Sequence, residues 1–225
     1  LDRRGLRSRR GRDVLAGRPL KPVRLVYSSG RSQPSAPMAL LVAGLVLFLG
    51  IHLVPAVPAL RTSLVARFGE RGYKGAFSTL SAVGLVLVVI GFGVARGGPA
   101  LFAPMPEAVA LAPYAMAASF ALFAAANLRG YLRRAVGHPM LAGTILWAGV
   151  HLAANGDRAS TVLFGAFLAW ALVDLASAIA RRAVRPFEPN VAHDVIAVVA
   201  GIGAMLAFAT LHRVLFGVQV VPFGL

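Results

Sequence analysis

The sequence predicts an all-α fold, a polytopic membrane helix bundle of about six transmembrane helices. Three observations predict it. The 225 residues are 58% hydrophobic with a mean hydropathy of +0.74, well above ordinary soluble usage. Apolar stretches near or beyond the ~18–20 residues that carry a helix across a bilayer recur along the chain. These stretches lack the period-two alternation of barrel strands, so helices must satisfy the backbone groups placed in lipid.

The runs follow in order. Ala39–Val57 is a Leu/Val/Ala stretch that closes on Pro55 and Pro58. Ala76–Ala95 ends in the small residues of "GFGVARG", Gly91–Gly97, which is not a phosphate loop. Ala108–Ala126 is alanine-rich. Met140–Ala154, opened by His138 and Pro139, is short and needs its flanks to span. Ser160–Ala180 is the fifth run and contains Asp174. Val195–Phe216 is preceded by His193 and Asp194, and an acid suits a helix N-terminus. Gly201 and Gly203 read as helix-packing positions. Six helices use nearly everything after residue 38, so no separate soluble domain fits.

Cysteine is absent. That excludes disulfides, thiolate metal sites, iron–sulfur clusters and cysteine nucleophiles. Paired carboxylates, a zincin helix and a Ser/His/Asp constellation are also missing.

Charge sets the expected orientation. Arg61, Arg67, Arg71, Lys74, Arg129, Arg133, Arg134, Arg181, Arg182 and Arg185 fall in loops on one side. Arg96, Arg158 and Arg213 fall on the other. The positive-inside rule puts the larger set in the cytoplasm and both termini outside. Residues 1–37 carry ten further Lys/Arg, which would then have to cross the membrane. They read as a basic disordered arm or as the product of a start called upstream of a true start at Met38. The membrane domain is 38–225, and the lipid bilayer rather than nucleic acid is its expected partner.

Ionisable side chains inside spans cost roughly 2.5–3.5 kcal/mol each on insertion scales, so each one calls for a reason. His52 lies in "FLGIHLVPAVPALR", where the prolines free carbonyls nearby. Trp147, His151 and Asn155 are spaced by four and share a helix face. That stripe is either a hydrogen-bonded helix seam or a metal-binding face. Asp174 is the most isolated acid. It lies about six residues from the basic end, or ~9 Å deep, as does His52. A His52–Asp174 contact and an Asp174 pair with Arg61 or Arg181 both fit. His193 and His212 read as capping or interfacial residues.

Two blocks then carry a resemblance. "FLGIHLVPAVPALRTSLVARFGERGYKGAFSTLSAVGL" and "GHPMLAGTILWAGVHLAANGDRASTVLFGAFLAWALVDL" resemble the NnrU family of bacterial membrane proteins, associated with nitrite and nitric oxide reduction (denitrification). Plant relatives of that family are the 15-cis-ζ-carotene isomerases. The resemblance implies a multi-pass protein of the bacterial inner (cytoplasmic) membrane. It also implies haem b held by histidines, with His52 and His151 matching the ligand motifs. Trp147, Asn155 and Asp174 would shape that pocket. Where the isomerases carry a cysteine three residues before the second histidine, this chain has Ala148. The expected depths of His52 and His151 differ by ~10 Å, while axial ligands to one iron lie about 4 Å apart. His138 is the other partner for His52, being closer in depth. A hydrophobic small molecule or a respiratory reductase is the expected partner. The alternatives are a cofactor-free assembly partner of such reductases and a polyene cis-trans isomerase. The "GHPMLAG" string is also similar to the opening of membrane methyltransferases. Gly137 and Leu141 replace that motif's Arg and Tyr, and its glutamate pair is absent, so at most a relative without that activity is implied.

Overall fold

A computed structural model describes residues 35–184, 186–218 and 220. Seven α-helices run through them: α1 (Ser35–Leu53), α2 (Pro58–Ala95), α3 (Pro106–Ala125), α4 (Tyr131–Val136), α5 (Pro139–Ala154), α6 (Arg158–Ala180) and α7 (Val191–Phe216). A 3-10 turn, Val54–Ala56, joins α1 to α2. Helices α1, α2, α3, α6 and α7 are long and apolar enough to cross a bilayer, and α5 is a shorter apolar helix. The protein is a multi-pass membrane protein, as the apolar runs predict. Most of the basic stretch 1–37 lies outside the described residues.

Two segments depart from the sequence reading. Residues 58–75, expected as a loop, are helical and continuous with the second span. Helix α2 has 38 residues, about 57 Å at 1.5 Å per residue, against a hydrocarbon core of ~30 Å. Gly69 divides it, with φ +72° and ψ 163°, a backbone region open essentially to glycine alone. The loop before the fourth span also contains α4. Its N-terminus is closed by Asp194, which accepts from the backbone N–H groups of Tyr131 and Leu132 at 2.8 and 2.9 Å. Asp194 therefore caps α4 while sitting in the first turn of α7, and Gly130 supplies the room for its carboxylate.

The helices touch in a series: α2 on α1, α1 on α6, α6 on α5, α5 on α3 and α3 on α7. Helix α2 also meets α6. Close approach of α1 and α2 depends on small residues. A Cβ at Gly44, Gly84 or Gly91 would come within 2.5–2.8 Å of the facing backbone. Without a hydrophobic drive between helices in lipid, such contact is what holds them together. Gly201 plays the same part between α7 and α3, whereas Gly203 faces open space. A buried Ser119 hydroxyl donates to Gly143 O across α3 and α5 at 2.7 Å.

The core between α1, α2 and α6 is built from Leu41, Leu45, Leu49, Val88, Leu163 and Phe164. A second apolar cluster, Leu141, Ala171 and Ala178, joins α5 to α6. The outer faces of α2 and α7 expose Val86, Val89, Ile90, Val94, Val195, Val199, Leu206 and Val214. That apolar surface suits contact with lipid tails.

Basic residues gather at one end of the bundle. Asn190 N–H donates to Arg129 O, and Arg181 reaches the α1–α2 turn. At the other end Arg158 N–H donates to Pro99 O, and Ala100 and Asp157 form an isolated bridge.

Candidate functional site

The Ala56 carbonyl ends the 3-10 turn, and Val57 after it is extended, so no helix running on from α1 uses it. The Ser177 hydroxyl donates to that carbonyl at 3.1 Å, and the Arg181 guanidinium donates to it as well. Arg181 and Ser177 are themselves bonded at 2.5 Å. The proline turn is thereby tied to the last two turns of α6.

Beside this anchor lies a cavity of about 390 Å³. Its walls come from the end of α1 (His52, Pro55), from α2 (Phe77), from α3 and α4 (Ala126, Arg133), from the opening of α5 (Gly137 to Leu141, including His138) and from α6 (Trp170, Asp174, Ala178, Arg181). The volume lies within the ~300–1,000 Å³ of small-molecule sites. Apolar walls with two imidazoles, one carboxylate and two guanidiniums make an amphipathic lining.

The His52 ring is fixed. Its Nδ1 lies 2.6 Å from Phe48 O. A carbonyl only accepts, so Nδ1 carries the proton and the neutral ring keeps its lone pair on Nε2. Phe48, Phe77 and Trp170 surround the imidazole at centroid separations of 4.4, 5.1 and 6.1 Å. His138 stands at the N-cap of α5. Among the described residues its side chain has no hydrogen-bond partner, so both ring nitrogens are available.

Asp174 lines the cavity one turn beyond Trp170. It is bonded to none of the three partners considered for it. Arg61 pairs with Glu70 at 3.4 Å, Arg181 is held by Ala56 and Ser177, and no hydrogen bond joins Asp174 to His52. Among the described residues its carboxylate has no partner.

His151 occupies a different neighbourhood, near the end of α5 that faces away from the basic side. Its Nδ1 donates to Trp147 O at 2.9 Å, and Asn155 donates to His151 O at 2.8 Å. Its ring packs on Phe164 at 4.7 Å and on Trp147 at 5.4 Å. Between it and His52 runs a ladder of rings. Trp147 meets Phe167 at 5.4 Å, Phe167 meets Phe48 at 5.9 Å, and Phe48 meets His52. The structure thus brings His52, His138 and Asp174 to one cavity. It sets Trp147, His151 and Asn155 on one face of α5 outside that lining.

The other two histidines serve loops. His193 Nδ1 accepts from Arg129 N–H at 3.1 Å, and His212 Nδ1 donates to Val218 O at 2.9 Å. Both rings bond to backbone groups beyond their own helix.

Sequence reasoning did not single out Phe77, Trp170, Arg133 or Arg181. Trp170 was within reach, because it precedes Asp174 by four and so shares its helix face. Arg181 entered only as a partner for Asp174. Phe77 carries no sequence signal of this kind.

No curated protein and no solved structure matches the chain. One family model does, that of the NnrU protein, over residues 40–220. That span takes in every wall of the cavity, the aromatic ladder and all six apolar runs apart from Ala39. The chain belongs to the NnrU family.

Proposed function

We propose that the cavity at the basic end binds an acid-bearing amphipathic ligand, with haem b foremost. His52 and His138 would hold it through their imidazoles, in a membrane protein that serves nitrite and nitric oxide reduction. One observation carries the reading: two imidazoles and two guanidiniums line the same apolar-walled cavity. The donor chemistry fits. Imidazole is a common axial ligand of haem iron, and guanidinium forks suit carboxylates of the propionate kind. Among the described residues no group of three or more His, Cys, Asp or Glu could hold a bare metal ion. A metal here must bring most of its own ligands, as a porphyrin does. His151 matches the family's ligand motif, but three aromatic rings fill the way from it to His52.

This chain's part in the chemistry is positioning. The Phe48 carbonyl, by accepting from Nδ1, fixes the His52 tautomer and leaves Nε2 as the nitrogen free to ligate. Pro55, Phe77, Leu141 and Trp170 would give the bound ligand apolar contact. Arg133 and Arg181 attract acidic groups toward the basic end. When bound, haem would supply one-electron exchange.

The test is a visible spectrum of the full chain purified in mild detergent. The expected result is a Soret band that His52→Ala and His138→Ala each abolish, and that His151→Ala leaves in place. Loss in His151→Ala but not in His138→Ala returns the ligand pair to His52 and His151. A folded protein free of haem leaves the assembly-partner reading in its place.

A further inference from the structure

We infer that the first part of α2, Pro58–Phe68, is an interfacial helix that docks on acidic phospholipid headgroups. The segment continues from the proline turn, so it starts at the basic end of the bundle. Its residues Leu60, Leu64 and Phe68 recur every four positions and form one apolar stripe. Leu60 is 44% exposed and Phe68 58%, a surface that the protein leaves uncovered. At 100° per residue, Arg61 and Arg67 flank this stripe on its two sides. Guanidiniums edging an apolar stripe are arranged to reach phosphates while their stems stay on hydrocarbon.

Charge complementarity selects the occupant. Residues 58–75 hold Arg61, Arg67, Arg71 and Lys74 against one acid, Glu70. That acid is already shared by Arg61 at 3.4 Å and Lys74 at 3.3 Å. Among the described residues Arg67 and Arg71 have no carboxylate partner. Arg67 lies over the Phe68 ring, 5.4 Å from its centroid. A purely apolar partner would strand these cations, and water alone would leave Leu60 and Phe68 wet. A phosphate-bearing lipid surface satisfies both. The backbone break at Gly69 lets the segment take a direction separate from the span that follows.

The chain has no cysteine, so single labelling sites are easily introduced. Nitroxide would be attached at Leu60→Cys, on the stripe, and at Thr62→Cys, 200° around the helix. The full-length protein would be reconstituted in bilayers of phosphatidylcholine with or without phosphatidylglycerol. In the mixed bilayers the Leu60→Cys label is expected to relax with oxygen, which is lipid-soluble, and the Thr62→Cys label with a water-soluble nickel chelate. The Leu60→Cys pattern should weaken in phosphatidylcholine alone. Arg67→Gln with Arg71→Gln should lower the preference for phosphatidylglycerol about fivefold per charge removed. Equal nickel access at both sites overturns the inference. So does a Leu60→Cys signal that follows protein density rather than lipid composition, which would make a second copy the occupant. Retained labelling and a normal unfolding transition show that the variants fold. The result stands whether or not the cavity holds haem.

Discussion

The His52 and His151 imidazoles are held by the same local bond, Nδ1 to the carbonyl four residues back, yet their surroundings differ. Around His151, Trp147 and Phe164 fill the space, and Phe164 is only 7% exposed. Around His52, rings close one side and a cavity opens on the other. The hydrogen bond makes each histidine tolerable in a membrane helix, because it satisfies the ring N–H and fixes the tautomer. What the lone pair then meets is decided by packing. A filled surround makes His151 part of a helix–helix contact, and an open one leaves His52 free to meet a ligand.

The comparison can be broken by mutation. The largest effect is expected at the filled end. Phe164→Ala should cost about 3–5 kcal/mol, the usual loss for a buried Phe, read from a thermal or SDS unfolding transition. Phe77→Ala removes a ring that already borders a void and is expected to cost clearly less. Equal losses would mean that the two ends are packed alike.

A smaller change, of opposite sign, is expected at the cavity. Asp174 carries a carboxylate without a bonded partner among the described residues. Asp174→Asn should stabilise the protein by up to about 2 kcal/mol, below the ~2.5–3.5 kcal/mol of a charge at mid-bilayer. Destabilisation in the same unfolding experiment would show that the carboxylate has a partner in the membrane. The smallest effect belongs to the anchor beneath the cavity. Ser177→Ala removes one of two donors to Ala56 O, so a loss near ~0.6 kcal/mol is expected, in line with hydrogen bonds between membrane helices. A loss several times larger would mean that Arg181 cannot hold the turn alone.

The spans were legible because composition decides them. Apolar runs of the right length place α1, α3, α5, α6 and α7 within a few residues. The amphipathic start of α2 was not legible as helix. Its apolar stripe is short, four cations interrupt it, and Gly69 reads as a breaker without saying that helix resumes. The position of Asp194 in the sequence marks it as an acid for a helix N-terminus, but which helix it caps depends on its tertiary approach to Gly130. His52, His138 and Asp174 stood out because ionisable groups are rare in lipid. That they meet, while His151 lies apart, follows from the order in which the helices pack, and spacing along one helix carries no such information. The anchoring of Ala56 O by α6 was not visible: the prolines point to freed carbonyls near Ile51 and Val54, and only the fold brings Ser177 and Arg181 to Ala56 O.

The order of packing also bears on biosynthesis. Helix α3 leaves the ribosome after α2, yet its neighbours are α5 and α7. While α1 and α2 can zip together along their glycines as soon as both are inserted, α3 must wait in lipid. Its Ser119 hydroxyl has no interhelical acceptor until Gly143 is synthesised. The nascent protein therefore passes through a stage with a finished N-terminal hairpin and an unsheltered third helix, and arrival of the fifth helix ends it.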